Sequence, residues 1–308
     1  MNASKNNNLL AYLALAAVCV LWGTTYLALR IGVTAFPPFL FSVIRFLLAG
    51  PILIGLMLAM GKKIPSRAVV AGQAIGGLLM VTLGIGIVGW AEVQVSSGVA
   101  AIVCSMMPIW TIVINLIANR DERPTVMIVI GLLIGLSGIV LIFSEHLTEF
   151  YNPAYTTSIV AIFLANLSWA IGTFLVKKKN TTADPFMNAG LQMLFGGIFL
   201  IPLSLLFDRY DTVHWSGEIL FSLGYLVLVG SVAAYACFFY AIGKLPMTIV
   251  TLYAYINPII AVILGWLILH EKLNMKISLA IVVTVLGIYL VNKGYQFKNP
   301  WKTLKSKS

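Results

Sequence analysis

Residues 36–60 read FPPFLFSVIRFLLAGPILIGLMLAM, a run of 25 residues in which Arg45 is the only charged side chain. A run of this length and character is sufficient to cross the hydrocarbon core of a bilayer as a helix. Because lipid offers no hydrogen-bond partner to the backbone, a spanning segment must satisfy its amides internally, as a helix does. The stretch therefore predicts a transmembrane helix with one buried charge.

The rest of the chain has the same character. Of its 308 residues, 60% are apolar and 10% are charged, whereas soluble domains average about 45–50% apolar and about 25% charged residues. This composition excludes an ordinary soluble enzyme. Ten apolar runs can be delimited, at residues 10–30, 36–60, 68–90, 95–118, 125–144, 156–176, 185–207, 217–240, 247–269 and 276–293. We therefore predict an all-α integral membrane protein with ten transmembrane helices.

The basic residues indicate the orientation of the chain in the membrane. With the N-terminus inside, the inner segments carry 15 Lys and Arg residues and the outer segments carry 4. Cytoplasmic loops are enriched in these residues, so both termini are expected in the cytoplasm and the protein in the cell (inner) membrane. The basic tail, residues 294–308, is expected to contact anionic lipid headgroups. This distribution explains the net charge of +10 without nucleic acid as a partner.

The two halves of the sequence resemble each other. Trp22 matches Trp169 at an offset of 147 residues, and Pro108 matches Pro258 at an offset of 150. The pairs fall in corresponding spans of two five-helix repeats, at residues 9–145 and 155–293. An odd number of spans inverts the second repeat relative to the first, and inverted repeats are typical of transporters with a substrate site between the halves.

Several short motifs, in this order and spacing, resemble one family. They are Leu21–Tyr26 (LWGTTY), Arg45-Phe46, Ala91-Glu92, Ser96–Ala101 (SSGVAA), Pro108–Trp110 (PIW), Asn257-Pro258, His270–Leu273 (HEKL) and Gly287–Val291 (GIYLV). The chain resembles the EamA-type permeases of the drug/metabolite transporter superfamily. The resemblance implies two inverted five-helix repeats around a central cavity and a role in metabolite export or uptake, without implying one substrate.

Arg45 and Glu92 are the charged candidates for a transport site. Arg45 binds an anionic group of the substrate or holds a gate; alternatively, it reaches the headgroups or caps a carbonyl of a neighbouring helix. Glu92 is its nearest expected carboxylate partner, and the two are expected to pair in one conformational state. The second half has Gln192 and Ile242 at the matching positions, so any role of these charges is asymmetric.

Aromatic and amide side chains within the spans complete the predicted cavity, the alternative for the aromatic residues being anchorage at the membrane interface. The predicted cavity residues are Trp22, Tyr26, Arg45, Glu92, Trp110, Asn115, Asn166, Trp169, Tyr253 and Asn257. Pro108 and Pro258 remove a backbone hydrogen bond each and are expected to bend matched helices, either for transport or only for packing. The pair Gly131 and Gly135 is expected to pack helices within a monomer rather than to form a dimer face.

No motif indicates an enzyme. His270-Glu271 lacks the second histidine of a zinc-protease motif, and a nucleophile elbow and a phosphate-binding loop are both missing from the sequence. We therefore expect no catalytic residues, no metal site and no cofactor. The expected function is a secondary transporter, in the export direction, for a small organic metabolite or amphipathic compound. A binding or sensing protein on a transporter scaffold is the alternative, and a channel-like facilitator is a weaker one.

Overall fold

The fold is helical throughout the part of the chain that the structure describes. This computed structural model describes residues 2–118, 124–179, 183–269 and 273–298, and no β-strand is present in these ranges. The main helical segments are α1 (Asn2–Ala35), α2 (Pro38–Ala59), α3 (Arg67–Ala91), α4 (Ser97–Ala118), α5 (Val126–Ile142), α6 (Thr156–Lys179), α7 (Pro185–Phe207), α8 (Gly217–Lys244), α9 (Met247–Val250 and Tyr253–Leu269) and α10 (Met275–Lys298).

Most of these segments are long and apolar enough to cross a membrane. Within the described ranges eight helices meet both requirements, and α5 with the short helix Ser144–Tyr151 makes a ninth candidate that is bent by 87°. In α1 the apolar stretch is shorter, Leu9–Thr25. The all-helical membrane class is thus confirmed, whereas ten spans and their inverted arrangement stay predictions.

Two pairs of helices, each with one member from either half of the chain, approach closely through glycine. A Cβ atom on Gly287 of α10 would lie 2.3 Å from the backbone nitrogen of Gly135 in α5. A Cβ atom on Gly50 of α2 would lie 2.6 Å from the backbone nitrogen of Leu194 in α7. Backbones at this distance leave no room for a side chain, so these glycines hold the pairs α5–α10 and α2–α7 together within one chain.

Two spans contain π-helical stretches, Gly77–Gly86 in α3 and Leu226–Ala233 in α8. A π-helix has a wider turn than an α-helix and often occurs at functional sites. Both stretches accept hydrogen bonds from side chains of the other half: Ser168 Oγ donates to Leu79 O (2.8 Å), and Trp22 Nε1 donates to Gly230 O (3.1 Å). The two halves therefore contact each other at these irregular turns.

The helices α4 and α9 are each interrupted near the centre of the molecule, α4 between Cys104 and Met107, and α9 between Val250 and Tyr253. Pro258 has no N–H to donate to the carbonyl of Ala254, one turn earlier in α9. That carbonyl instead accepts a hydrogen bond from Ser105 Oγ (3.1 Å) at the break in α4. The two interruptions are thus linked directly to each other.

Candidate functional site

A cavity of about 150 Å³ lies between helices of both halves of the chain. Its walls come from α1, α2, α3 and α4 of the first half and from α6 and α9 of the second. Ligand sites for drug-sized molecules are commonly about 300–1,000 Å³, so this cavity fits a smaller molecule. Seven of the residues proposed from the sequence line it: Trp22, Arg45, Glu92, Asn166, Trp169, Tyr253 and Asn257.

Aromatic rings form most of the cavity wall around Trp22. The Trp22 ring contacts Tyr253 edge-to-face at a centroid distance of 4.9 Å and Trp169 edge-to-face at 5.8 Å. Phe238, behind these rings, lies 5.3 Å from Trp22. Edge-to-face contacts fix ring orientation, and the hydrogen bond from Trp22 Nε1 to Gly230 O adds a polar anchor. The orientation of the Trp22 ring in the wall is therefore set by ring contacts on one side and by a hydrogen bond on the other.

Arg45 is buried, with 4% of its surface exposed, and its guanidinium contacts the π-helical stretch of α8. Its Nε donates to Ser231 Oγ (2.8 Å) and its Nη2 donates to Gly230 O (3.3 Å). The guanidinium also lies 4.8 Å from the centre of the Phe46 ring. These contacts offset part of the cost of burying the charge. Arg45 thus caps a carbonyl of a neighbouring helix and lines the cavity at the same time.

Glu92 lies at the C-terminal end of α3, where its backbone N–H donates to Val88 O (2.9 Å). Its side chain is 6% exposed and lines the same cavity as Arg45. The structure therefore places one cationic and one acidic side chain around a single small space. Whether the two form an ion pair during the functional cycle stays a prediction.

Two asparagines contribute amide groups to the cavity. Asn166 Nδ2 donates to Val103 O (3.0 Å), which fixes the amide plane, while Asn166 Oδ1 is buried and accepts no hydrogen bond. The Asn257 amide fits its surroundings when its nitrogen donates to Tyr253 O (2.9 Å) and to Cys19 O (3.1 Å). In this orientation Asn257 Oδ1 is the remaining acceptor. Both amides are thus held by backbone carbonyls.

Two residues proposed from the sequence lie outside the cavity lining. Trp110 packs edge-to-face on Phe163 at 5.0 Å, and Asn115 is buried further along α4. Asn115 is eleven residues beyond Cys104, about 16 Å along a helix, so it shares a face with the cavity residues but lies at a different depth. The Tyr26 side chain lies outside the described part of the chain.

The structure also brings in residues that sequence reasoning did not propose, among them Thr25, Gly84, Cys104 and Met107. The sequence pattern did indicate Cys104, because it lies one helical turn before Pro108 on the face that also carries Asn115. Gly84 had no such signal. A Cβ atom there would lie 3.0 Å from Trp169 Cε3, so its small size makes room for the ring.

A short helix outside the spans holds the turn that carries Glu92. Glu149, in Ser144–Tyr151, accepts a hydrogen bond from the Ser96 N–H (3.0 Å) at the start of α4 and contacts His146 Nδ1 (2.9 Å). Partial burial acts to raise the pKa of Glu149, but the hydrogen bonds from Ser96 and His146 outweigh it and hold that pKa below its usual value. The α3–α4 turn is thus anchored by an ionised carboxylate.

The chain is similar in sequence to a family of known membrane transporters. The model of the EamA-like transporter family matches residues 9–144 and 156–293. An Escherichia coli protein named uncharacterized inner membrane transporter YedA is 33% identical over 91% of this chain and 90% of its own length. The Bacillus subtilis transporter YoaV is 25% identical over 90% of this chain and 95% of its own.

A similar fold occurs in a solved crystal structure, with a TM-score of 0.76 and 19% identity over 91% of this chain and 95% of that one. The likeness in fold agrees with the sequence matches, which cover both halves of the chain. With its apolar helices and its central cavity, the chain is a multi-pass membrane protein and belongs to the EamA-like transporter family.

Proposed function

We propose that the protein is a secondary transporter that moves a small organic metabolite or amphipathic compound across the inner membrane by alternating access. The observation that carries the proposal is the cavity of about 150 Å³ between the two halves. It combines aromatic rings with one guanidinium, one carboxyl group and two amides, a lining suited to a small molecule with an apolar body and polar groups. Export is the proposed direction, on the strength of the family resemblance.

The proposal includes ten spans in two inverted repeats with both termini in the cytoplasm. Its support is the match of one family model to each half of the chain, the paired sequence landmarks, and the π-helical stretches in α3 and α8. The helix pairs α2–α7 and α5–α10 join one helix from each half, as a pseudo-twofold arrangement requires. We propose a monomer as the working unit, with no catalytic residue and no cofactor.

The conformational change is proposed to centre on the interrupted helices α4 and α9. Pro108 and Pro258 weaken the backbone ladder there, and the contact from Ser105 to the Ala254 carbonyl joins the two breaks. Arg45 bonds to α8 in this structure; in another state of the cycle it pairs with Glu92. The acids other than Glu92 lie in loops or at helix ends in the sequence, which favours transport without an obligatory proton carrier deep in a helix.

Transport is tested with purified protein in liposomes. Counterflow is recorded for a panel of radiolabelled amino acids, nucleosides and cationic dyes, with and without a pH gradient, for wild type and for the double variant Trp22→Ala, Asn166→Ala. Trp110→Phe is the matched control, because Trp110 lies outside the cavity lining. Counterflow that the double variant abolishes and the control retains supports a carrier with its site in this cavity.

Two other outcomes contradict the proposal. Folded protein that shows no counterflow for any compound favours a binding or sensing role on a transporter scaffold. Flux that does not saturate with substrate concentration favours a channel-like facilitator, because alternating access limits the rate to one conformational cycle for each molecule carried.

A further inference from the structure

Two polar atoms in the cavity wall have no hydrogen-bond partner in the structure. They are Asn166 Oδ1, an acceptor, and Trp169 Nε1, a donor that approaches the Tyr253 hydroxyl without reaching hydrogen-bond geometry. Asn166 is 6% exposed and Trp169 is 8% exposed, so water does not satisfy them freely. A buried polar group without a partner carries a desolvation cost, and such groups in folded proteins call for an explanation. Both residues line the cavity, so a bound molecule would supply the missing partners.

Asn166 and Trp169 lie on one face of α6. Residues three apart in a helix are neighbours on its surface, and Asn166 and Trp169 have this spacing. The orientation of the Asn166 amide is fixed by the bond from its Nδ2 to Val103 O (3.0 Å), so it is the oxygen that is available. A ligand here therefore meets an acceptor and a donor from neighbouring positions of one helix, and a ligand that bonds to both has to offer a donor and an acceptor close together.

The charge and size of the cavity further restrict which ligands can bind. The charged side chains in the lining are Arg45 and Glu92, whose formal charges cancel. A ligand with a net charge would leave an uncompensated charge in a low-dielectric space, which is costly. An apolar cavity of about 150 Å³ in another protein holds one benzene molecule. The space here thus suits a single small ring or branched chain carrying one polar group.

We propose that Asn166 and Trp169 together recognise a small uncharged molecule in which an N–H donor adjoins a carbonyl acceptor, the carboxamide being the simplest such group. The N–H donates to Asn166 Oδ1, and the carbonyl accepts from Trp169 Nε1. The apolar part of the molecule lies against the rings of Trp22 and Tyr253. This assignment rests on the proposed function, because it takes the cavity to be the substrate site.

Benzamide is the probe, because it joins a single ring to a primary carboxamide. Benzoate and benzamidinium have nearly the same size and shape but carry one negative and one positive charge. Binding of radiolabelled benzamide to the purified full-length protein is measured at equilibrium, and the two ions are tested as competitors. We expect benzamide to bind at least about ten-fold more tightly than either ion, since each ion lacks one of the two hydrogen bonds and carries a net charge.

The variants Asn166→Leu and Trp169→Phe each remove one of the two hydrogen bonds. Each is expected to weaken benzamide binding about two-fold to twelve-fold, the range of a neutral hydrogen bond. Asn115→Leu and Trp110→Phe are matched controls on α4, and both should bind benzamide as wild type does. Trp110 is a strict control, because its Nε1 is likewise buried without a partner but lies outside the cavity lining.

Three results would overturn the assignment: no saturable binding of benzamide to folded protein, equal binding of the ions, or wild-type affinity in Trp169→Phe. Trp169→Phe keeps an aromatic ring at this position, so it tests the pair even where Asn166→Leu unfolds after losing its contact to Val103. Counterflow in liposomes separates this assignment from the proposed function. Flux of another solute without benzamide binding overturns the recognition pair alone, whereas binding that depends on Trp169 without any flux overturns transport alone.

Discussion

Replacing Ser231 by alanine should destabilise the protein through Arg45. Ser231 is fully buried, and its Oγ accepts the hydrogen bond from Arg45 Nε at 2.8 Å. A hydrogen bond to a charged group contributes about 1.5–3 kcal/mol, and its loss here leaves a buried N–H of a cation unsatisfied. We therefore expect Ser231→Ala to lower the free energy of unfolding by about 2–3 kcal/mol.

Arg45→Met removes the other side of the same contact. It removes the guanidinium with both of its hydrogen bonds to α8, so no N–H of a buried cation is left unsatisfied. The carbonyl of Gly230 keeps its bond from Trp22 Nε1 (3.1 Å), so no buried acceptor is left unsatisfied there. It also leaves Glu92 without the opposite charge in the same cavity, so we expect stability at or below that of wild type, and we expect counterflow to be lost because the cavity loses its cation.

A double-mutant cycle tests whether Ser231 stabilises the protein through its hydrogen bond with Arg45 or independently of Arg45. Unfolding is followed in mixed micelles for wild type, Ser231→Ala, Arg45→Met and the double variant. We expect Ser231→Ala to cost less than about 1 kcal/mol once Arg45 is replaced. Ser222→Ala is the control, because Ser222 is also a buried serine of α8 but donates to Ala28 O. Equal cost of Ser231→Ala in both backgrounds would refute the reasoning.

Two further predictions concern the packing of α5 against α10 and the short helix Ser144–Tyr151. Gly287→Ala should destabilise the protein by about 1–3 kcal/mol, because its Cβ atom would lie 2.3 Å from the Gly135 nitrogen. Gly224→Ala is the control, because a Cβ atom there would meet no neighbouring atom within 4 Å. Thermal unfolding of both variants checks this prediction. Because the pKa of Glu149 is lowered in the folded protein, its contribution to stability is present above the unfolded pKa of about 4.3 and is lost as pH falls below it. The melting temperature of wild type should therefore drop more steeply than that of Glu149→Gln between pH 5.5 and about 3.5, and parallel curves would contradict the role of this carboxylate.

Much of the fold could be predicted from the sequence because the bilayer imposes its own rule on the chain. Long apolar runs have to be helices, so residues such as those of α2 and α7 are assigned from composition alone. The π-helical stretches could not be foreseen, because Gly77–Gly86 and Leu226–Ala233 have the same apolar character as their α-helical neighbours. The sharp bend after α5 lies at the end of the predicted run 125–144, and the helix Ser144–Tyr151 that follows it was not predicted because most of its residues are polar.

The sequence predicts which kinds of residue line the cavity better than it predicts how far along each helix they lie. Arg45, Asn166 and Trp169 carry polar groups that lipid would not satisfy, so they had to face the protein interior. Helical periodicity gives the face of a residue but not its height relative to a cavity, which is why Asn115 was included. The contact from Arg45 to Ser231 spans 186 residues of sequence, and no local pattern in a single sequence indicates such a partner.

Trp22 and Trp169 show where the symmetry of the two halves ends. The sequence matches them as equivalent residues, and both rings line the cavity. Yet Trp22 Nε1 donates to Gly230 O at 3.1 Å, whereas Trp169 Nε1 makes no hydrogen bond of good geometry. The same asymmetry separates Arg45 from its counterpart Gln192, which is buried between α7 and α3 near Gln73. A binding site between two similar halves becomes selective for one orientation of its ligand only where such pairs differ. The Nε1 donors of Trp22 and Trp169 are one such pair, because they differ in their hydrogen bonding.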